Sequence, residues 1–180
     1  NKLKMITCHL GNGCSITAVD KGKSVDTSMG FTPLEGLVMG TRCGDIDPAL
    51  ITHIMKKKKL GIAAMDILLN KASGLKGISG LSNDMRILKE ASGAGNKRAK
   101  LALDIFIYRV KKYIGAYTGI MSGCDALVFT GGIGENQKNI RQRIVKDIFK
   151  PLRKTPRILV IPTNEELMIA KQTYQLISRN

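Results

Sequence analysis

Phe129-Thr130-Gly131-Gly132-Ile133-Gly134-Glu135-Asn136 is the stretch from which the rest of the chain is best understood. The apolar run Ala126 to Phe129 empties into three glycines within four residues, and a helical pattern follows. A strand, a tight turn and a helix start are expected. Glycines there remove the Cβ atoms that would hold a ligand off the backbone, and the new helix points unpaired N–H groups at whatever sits on the turn. A nucleotide is the natural occupant. Plain turn chemistry is the alternative, since Gly-Gly-x-Gly after a strand serves both purposes. A second phosphate-facing turn would favour the nucleotide.

Upstream, Met5 to His9 and Ser15 to Val19 are two short runs separated by Leu10-Gly11-Asn12-Gly13-Cys14, with Asn-Gly at the centre. This pattern predicts a hairpin. Asp20-Lys21-Gly22 turns the chain into Lys23 to Asp26, which completes a three-stranded antiparallel meander. Gly11 and Gly13 flank Asn12 with more glycine than a hairpin requires. Consecutive backbone amides there can form an anion-binding concavity with the Asn12 side chain as a further donor. A purely structural hairpin is the other option.

From Thr27 to Pro48 no period holds, and an irregular segment this long in a compact domain is usually functional. It contains Thr41-Arg42-Cys43-Gly44-Asp45, in which a loop arginine is either a salt-bridge anchor or an anion clamp. Asp47-Pro48 starts a helix through Leu50, Ile51, Ile54 and Met55, and a second helix is expected over Ala63 to Ala72. Ser82 is expected to cap a third, with Asp84 near its positive end. The longest periodic stretch, Asn96 to Met121, keeps Ala99, Ala102, Phe106, Val110, Ile114, Tyr117 and Met121 on one face. Asn139 to Phe149 reads as a basic amphipathic helix ended by Pro151, and Arg157 to Pro162 as a last strand. Thr163 and Glu166 have capping-box spacing for a final helix. The order of elements predicts an α/β layered domain with a mixed sheet.

The length, 180 residues, suits one domain, and 43% apolar with 24% charged residues is ordinary globular composition. No run is long enough to span a membrane, and no signal-peptide pattern opens the chain. Cys8, Cys14, Cys43 and Cys124 lack disulfide-scaffold or C-x-x-C spacing, which fits buried thiols in a reducing cytoplasm. His9 and His53 are too few for a zinc site, whereas metal held by oxygen ligands stays open. The net charge of +15 is spread over many segments, and its one compact run, Lys56 to Lys59, ends a predicted helix where cations favour the macrodipole. A solvated helix end is favoured over a nucleic-acid patch, because the chain has no Trp and only 4% aromatic residues for base stacking.

His9-Leu10-Gly11-Asn12-Gly13, Asp26-Thr27-Ser28-Met29-Gly30-Phe31-Thr32-Pro33-Leu34-Glu35-Gly36, Met39-Gly40-Thr41-Arg42, Leu81 to Arg86, Gly131 to Asn136 and Ile161 to Leu167 together resemble the C-terminal half of the acetate kinase family. The resemblance implies a ribonuclease-H-like domain of the acetate and sugar kinase, Hsp70 and actin superfamily, with a mixed sheet, flanking helices and a partner domain that closes over ATP. It also implies reversible phosphorylation of acetate to acetyl phosphate by direct in-line transfer. Propionate or butyrate kinase, or a non-catalytic ATP-binding fragment, are the alternatives. The implied nucleotide residues are His9, Leu10, Gly11, Asn12 and Gly13 as a phosphate hairpin, Asp84, Met85 and Arg86 at the adenosine, and Gly132, Ile133, Gly134, Glu135 and Asn136 as the adenosine motif. Arg42 matches the arginine that stabilises the transferring phosphoryl group, Pro33 a residue of the acyl-methyl pocket, and Glu165 a carboxylate linked to Mg2+, with Mn2+ as the alternative ion. A homodimer in the cytoplasm, binding neither nucleic acid nor membrane, is implied as well.

These residue types suit the chemistry, because phosphoryl transfer asks for positioning and charge neutralisation, and a carboxylate nucleophile needs no general base. The chain starts at Asn1 without a methionine, and the family's N-terminal half is expected to lie outside it. That half would supply the first phosphate loop, an aspartate, a histidine and a second arginine. The resemblance also implies a longer insertion between Phe149 and Pro156, so Lys150-Pro151-Leu152-Arg153 is expected to join ends that are not natural neighbours.

Overall fold

The computed structural model describes residues 3–150 and 155–178, apart from the side chain of Glu165. The opening runs form the expected meander, β1 (Lys4–Leu10), β2 (Cys14–Asp20) and β3 (Lys23–Thr27). Because side chains alternate across a strand, Ile6, Cys8 and Leu10 of β1 and Cys14, Ile16 and Ala18 of β2 all enter the core.

The two turns exchange the characters their sequences suggest. Positive φ at both central residues, the geometry favoured in a two-residue hairpin, occurs at Lys21 (φ 54) and Gly22 (φ 82). Gly11 to Gly13 form a three-residue loop, in which Gly11 N–H donates to Gly13 O at 3.0 Å and Gly40 N–H donates to Asn12 O at 3.1 Å. That tie to a distant segment outweighs the turn preference of the Asn-Gly dipeptide.

Five helices follow: α1 (Pro48–Lys58), α2 (Ile62–Lys71), α3 (Gly74–Ser79), α4 (Met85–Gly93) and α5 (Lys97–Ile120). Asp47 caps α1, and its last turn carries Lys56, Lys57 and Lys58 in solvent as expected. The cap of α4 is Asp84 rather than Ser82: Asp84 Oδ1 accepts from Arg86 N–H at 2.8 Å, while Ser82 Oγ accepts from Asp84 N–H at 3.0 Å. Asn96 Oδ1 accepts from Ala99 N–H at 3.0 Å to start α5. The predicted face of α5 is buried throughout, together with Leu103 and Ile107. Each such large side chain contributes about 1.5–3 kcal/mol on burial.

The chain then runs through β4 (Ala126–Thr130), α6 (Gly131–Asn136), α7 (Lys138–Val145), β5 (Arg157–Val160) and α8 (Glu165–Ile177). Helix α7 stops four residues before Phe149, ahead of Pro151, which lies outside the described residues. The cap of α8 is Asn164, whose Oδ1 accepts from Leu167 N–H at 3.2 Å, and the Thr163 and Glu166 capping box does not form. The expected junction at Lys150 to Arg153 falls mostly on undescribed residues, 151–154.

The sheet order is β3-β2-β1-β4-β5, antiparallel through the meander and parallel from β1 to β5, which is the mixed sheet expected of a ribonuclease-H-like domain. Strands β1 and β4 are in parallel register from Met5↔Ala126 to His9↔Thr130. The Gly11–Gly13 loop and the glycine turn therefore leave the sheet at the same edge, the carboxyl ends of the parallel strands where ligands of open α/β sheets bind. Among the described residues no helix is long and apolar enough to cross a membrane.

Candidate functional site

The turn after β4 is built by close approach. Gly131 sits at φ +76, and a Cβ there would come within 2.9 Å of Leu10 O, so only glycine fits between the ends of β1 and β4. Gly134 is buried against Phe129 and Cys8, which seats α6 on the sheet. Gly132 is different: nothing lies within 4 Å of where its Cβ would be. It faces a cleft of about 560 Å³ lined by Gly11, Asn12, Asn83, Asp84, Met85, Arg86, Gly132, Ile133, Asn136 and Gln137. Of the sequence-derived nucleotide residues, eight meet in this one cleft.

Its far wall is the capped start of α4. Asp84 binds Arg86 through its own cap and through an ion pair, Arg86 Nη2 to Asp84 Oδ2 at 2.6 Å. Those hydrogen bonds from Arg86 hold the Asp84 carboxyl down at about 2. Across the floor, Asn83 Nδ2 donates to Asn12 Oδ1 at 2.9 Å, and Lys89 Nζ donates to Gln137 Oε1 at 2.8 Å. Asn83 and Gln137 were not among the expected site residues. The cap segment Ser82-Asn83-Asp84 was visible in the sequence, but nothing local to it shows that Asn83 reaches the hairpin.

A second cleft, of about 500 Å³, begins on the other side of Asn12 and is lined by Gly13, Thr41, Arg42, Asp66, Asn70 and Lys71. Arg42 Nη1 lies against Gly13, 3.5 Å from where a Cβ would stand. No carboxylate among the described residues pairs with Arg42. The salt-bridge anchor alternative thus finds no carboxylate among the described residues for the arginine, whose Nη1 reaches Met39 Sδ at 3.8 Å, and a guanidinium beside an open hairpin suits an anion. Thr41 adjoins Arg42 on its own loop, whereas Asp66, Asn70 and Lys71 come from α2, and only the tertiary fold brings those three to Arg42.

The loop carrying Arg42 is fixed from three sides. Leu75 N–H and Lys76 N–H donate to Met39 O at 2.8 Å and Gly40 O at 3.0 Å, Ser73 N–H donates to Thr41 O at 3.0 Å, and Cys43 N–H donates to Leu69 O at 3.0 Å. A Cβ on Gly74 would collide with Met39 O, so this docking depends on glycine at that position.

A third cleft, of about 430 Å³, shares Gly132 and is lined by His9, Gly131, Glu135, Thr163, Asn164 and Glu166. Glu135 Oε1 accepts from Thr163 N–H at 2.9 Å and Gly131 N–H at 2.9 Å, which lowers its pKa. His9 and Glu135 thus face this cleft rather than the first, Gly13 faces the second, and Leu10 is wholly buried with its side chain in the core. Pro33 is exposed on its loop and lines none of the three clefts. Glu165 opens α8, and its side chain lies outside the described residues.

Of the four thiols expected to be buried, Cys8, Cys14 and Cys124 are, whereas Cys43 is only half-buried; all four are free, and burial pushes Cys14 up to about 12, against the Arg42 charge.

The family model described as the Acetokinase family matches residues 1–152. The chain is 56% identical over 196 residues to an acetate kinase of Halothermothrix orenii, covering 98% of this chain and 49% of that protein. It is 54% identical over 195 residues to one of Methanosarcina thermophila, with 97% and 48% covered. A solved acetate kinase of Porphyromonas gingivalis superposes with a TM-score of 0.90 at 42% identity, covering 98% of this chain and 49% of that one. A propionate kinase of Francisella tularensis gives 0.88 at 47% identity, with 94% and 48% covered. The chain spans about half the length of the curated relatives it matches. With its glycine turn, Gly11–Gly13 hairpin and loop arginine gathered at one sheet edge, the chain belongs to the acetokinase family.

Proposed function

We propose that this chain is the C-terminal, nucleotide-binding half of a cytoplasmic short-chain acyl kinase that transfers the γ-phosphoryl group of ATP reversibly to acetate. The observation that carries this reading is the convergence of Gly132, Ile133 and Asn136 of the glycine turn, Asp84 to Arg86 and the Gly11–Asn12 hairpin on one cleft, next to an arginine with no carboxylate partner among the described residues. The adenosine occupies the first cleft against the bare backbone of Gly132. The phosphates run along the hairpin past Asn12 towards Arg42.

Arg42 offsets the charge on the equatorial oxygens of the transferring group and the repulsion between ATP and the incoming carboxylate. The effect is preorganised, because its loop is already held by the hydrogen bonds from α3. A magnesium ion that arrives on nucleotide phosphates needs only one or two protein oxygens. The third cleft offers carboxylate, hydroxyl and amide oxygens from Glu166, Thr163 and Asn164 and no thiolate, a donor set that fits this hard cation. Glu165, adjacent to them, is the residue assigned to hold it, and the ion when bound neutralises phosphate charge. The remaining catalytic groups and most of the acyl pocket belong to an N-terminal half beyond this chain. Assembly as a symmetric homodimer is part of the same proposal, with Leu101, Tyr108 and Ile120 the large apolar residues of α5 left in solvent.

Similarity to a propionate kinase as well as to acetate kinases makes acyl size the open choice within this reading, to be decided by relative kcat/KM for acetate, propionate and butyrate in the full-length enzyme. The test of the nucleotide site is Gly132→Val. Crowding a packed contact costs about 1–3 kcal/mol, so ATP affinity by calorimetry should fall roughly tenfold or more while the thermal midpoint stays unchanged. Unaltered ATP affinity would leave the turn structural. The 180-residue chain alone is expected to fold, bind ATP weakly and form no acetyl phosphate above background in a coupled assay, since in-line transfer needs both reactants held together.

A further inference from the structure

Glu135 belongs to the glycine turn in sequence, yet it does not line the cleft formed by Gly132, Ile133 and Asn136. Its carboxylate faces the other way. Oε1 accepts three hydrogen bonds: from Gly131 N–H at 2.9 Å, from Thr163 N–H at 2.9 Å and from Thr163 Oγ1 at 3.3 Å. Gly131 N–H also reaches Thr163 Oγ1 at 3.1 Å, and Thr130 Oγ1 lies 2.6 Å from the same oxygen. With the Thr163 hydroxyl donating to the carboxylate, Thr130 donates to Thr163 and every proton has an acceptor. The knot thus joins the end of β4 and the first residue of the turn to the residue just before the cap of α8.

Helix α8 has little else to fix it. Its described side chains are all exposed, among them Met168, Ile169, Tyr174 and Leu176, and a helix of this length without a packed face is marginal in water. Its direction is set where it leaves the sheet. Ile161 N–H donates to Phe129 O at 2.9 Å, and two residues later comes the Thr163 knot. Glu166, which shares the third cleft with His9 and Glu135, is placed from that point.

We propose that Glu135 is a positioning residue: its carboxylate clasps the nucleotide-binding turn to the head of α8, so that occupation of the turn and placement of α8 with its acidic first turn are linked. The linkage rests on the nucleotide reading given above, whereas the clasp does not. A ligand that fixes Gly131 to Asn136 also fixes Glu135, and Glu135 in turn fixes Thr163. By reciprocity, loosening Thr163 weakens the ligand.

The test is amide exchange by NMR on the 180-residue chain, with and without saturating ATP, at Gly131, Thr163 and Leu167 to Ile169, alongside calorimetric ATP affinity. Loss of one net hydrogen bond shifts an opening equilibrium by about tenfold, so Glu135→Ala should speed exchange at Thr163 and Leu167 by that factor without ATP. Added ATP should slow these amides in the parent and leave them unchanged in Glu135→Ala. Glu135→Gln, which keeps an oxygen acceptor, should recover most of the protection. Thr163→Val, which keeps the N–H and loses the hydroxyl, should give a smaller acceleration and provides the comparison if Glu135→Ala does not fold. Unchanged exchange at Thr163 and Leu167 in Glu135→Ala or Thr163→Val would overturn the clasp. Equal, severe loss of ATP affinity in Glu135→Ala and Glu135→Gln with unchanged exchange would make Glu135 a direct contact and overturn it too. If the parent binds no ATP, the nucleotide reading and the linkage both fall, while faster ATP-free exchange in Glu135→Ala would still support the clasp.

Discussion

The segment 28–47 has no helix or strand, and α8 is a regular helix of 13 residues, yet the irregular segment is the better fixed of the two. Ser28, Gly36, Leu37, Val38, Met39, Gly40 and Gly44 are buried, and Ser28 exchanges hydrogen bonds with Ile16 in both directions at 2.8 and 2.9 Å. Asp45 closes the far end: Oδ1 accepts from Gly36 N–H at 2.8 Å, Oδ2 from Tyr113 O–H at 2.9 Å, and Arg109 lies 3.6 Å from the carboxylate. Burial pushes the Tyr113 hydroxyl up, with the hydrogen bond to Asp45 adding to it, so it remains a proton donor. Helix α8 has satisfied backbone bonds and a cap but no buried described side chain. Periodicity gives local form, whereas fixed position comes from burial and from hydrogen bonds to distant parts of the chain.

The largest effect that would sharpen this contrast is catalytic. If the pinned loop presents Arg42 ready to act, Arg42→Ala in the full-length enzyme should lower kcat by about two to four orders of magnitude, with a smaller change in nucleotide affinity. Lysine should rescue poorly, since a point charge lacks the guanidinium fork. Near-normal kcat in a steady-state assay would return Arg42 to a structural role.

Next in size is stability. Leu37 is completely buried in the irregular segment, and Leu37→Ala should cost about 2–5 kcal/mol in urea denaturation. Ile169 on α8 is 63% exposed, and Ile169→Ala should stay within about 0.5 kcal/mol. Equal costs at the two positions would break the comparison.

The smallest effect concerns the caps. Asp84 at α4 has a carboxyl held at about 2, below its ordinary 3.8. A depressed folded pKa means that the contribution is full above the ordinary value and fades as pH falls from 3.8 to about 2. Asn164 at α8 carries no charge to lose, so the two caps should part company only in that acid window. Because Asp84 is on the surface, the change in stability is small, and the check is its carboxyl carbon titration by NMR. A midpoint near 4 would remove the distinction.

Much of the chain was legible from local chemistry. Alternation fixed β1 and β2, one apolar face fixed α5 to within a residue of its cap, and the glycine turn after an apolar strand marked the site. The errors share a cause. Asn12-Gly13 favours a tight turn by itself but is held open by Gly40, and Thr163 has capping geometry available but is taken by Glu135 and Gly131. In each case a partner far away in sequence won over a local preference. Helix α7 stopped short of its apolar pattern, at Val145, with Phe149 buried in the turn beyond it. Asn83, Gln137 and Lys71 carry no local mark of a site; they line the clefts because the loops between elements converge there.

By itself the sequence determined the period of each element, the glycines at which backbone comes close to backbone, and the residue types fit for anion binding, because these depend on dihedral preference and side-chain chemistry within a few positions. Only the tertiary structure decided that Asn12 stands between two clefts, that Glu135 turns away from the first, and that Arg42 has no carboxylate partner among the described residues, since burial and hydrogen-bond partnership are properties of which distant segments meet.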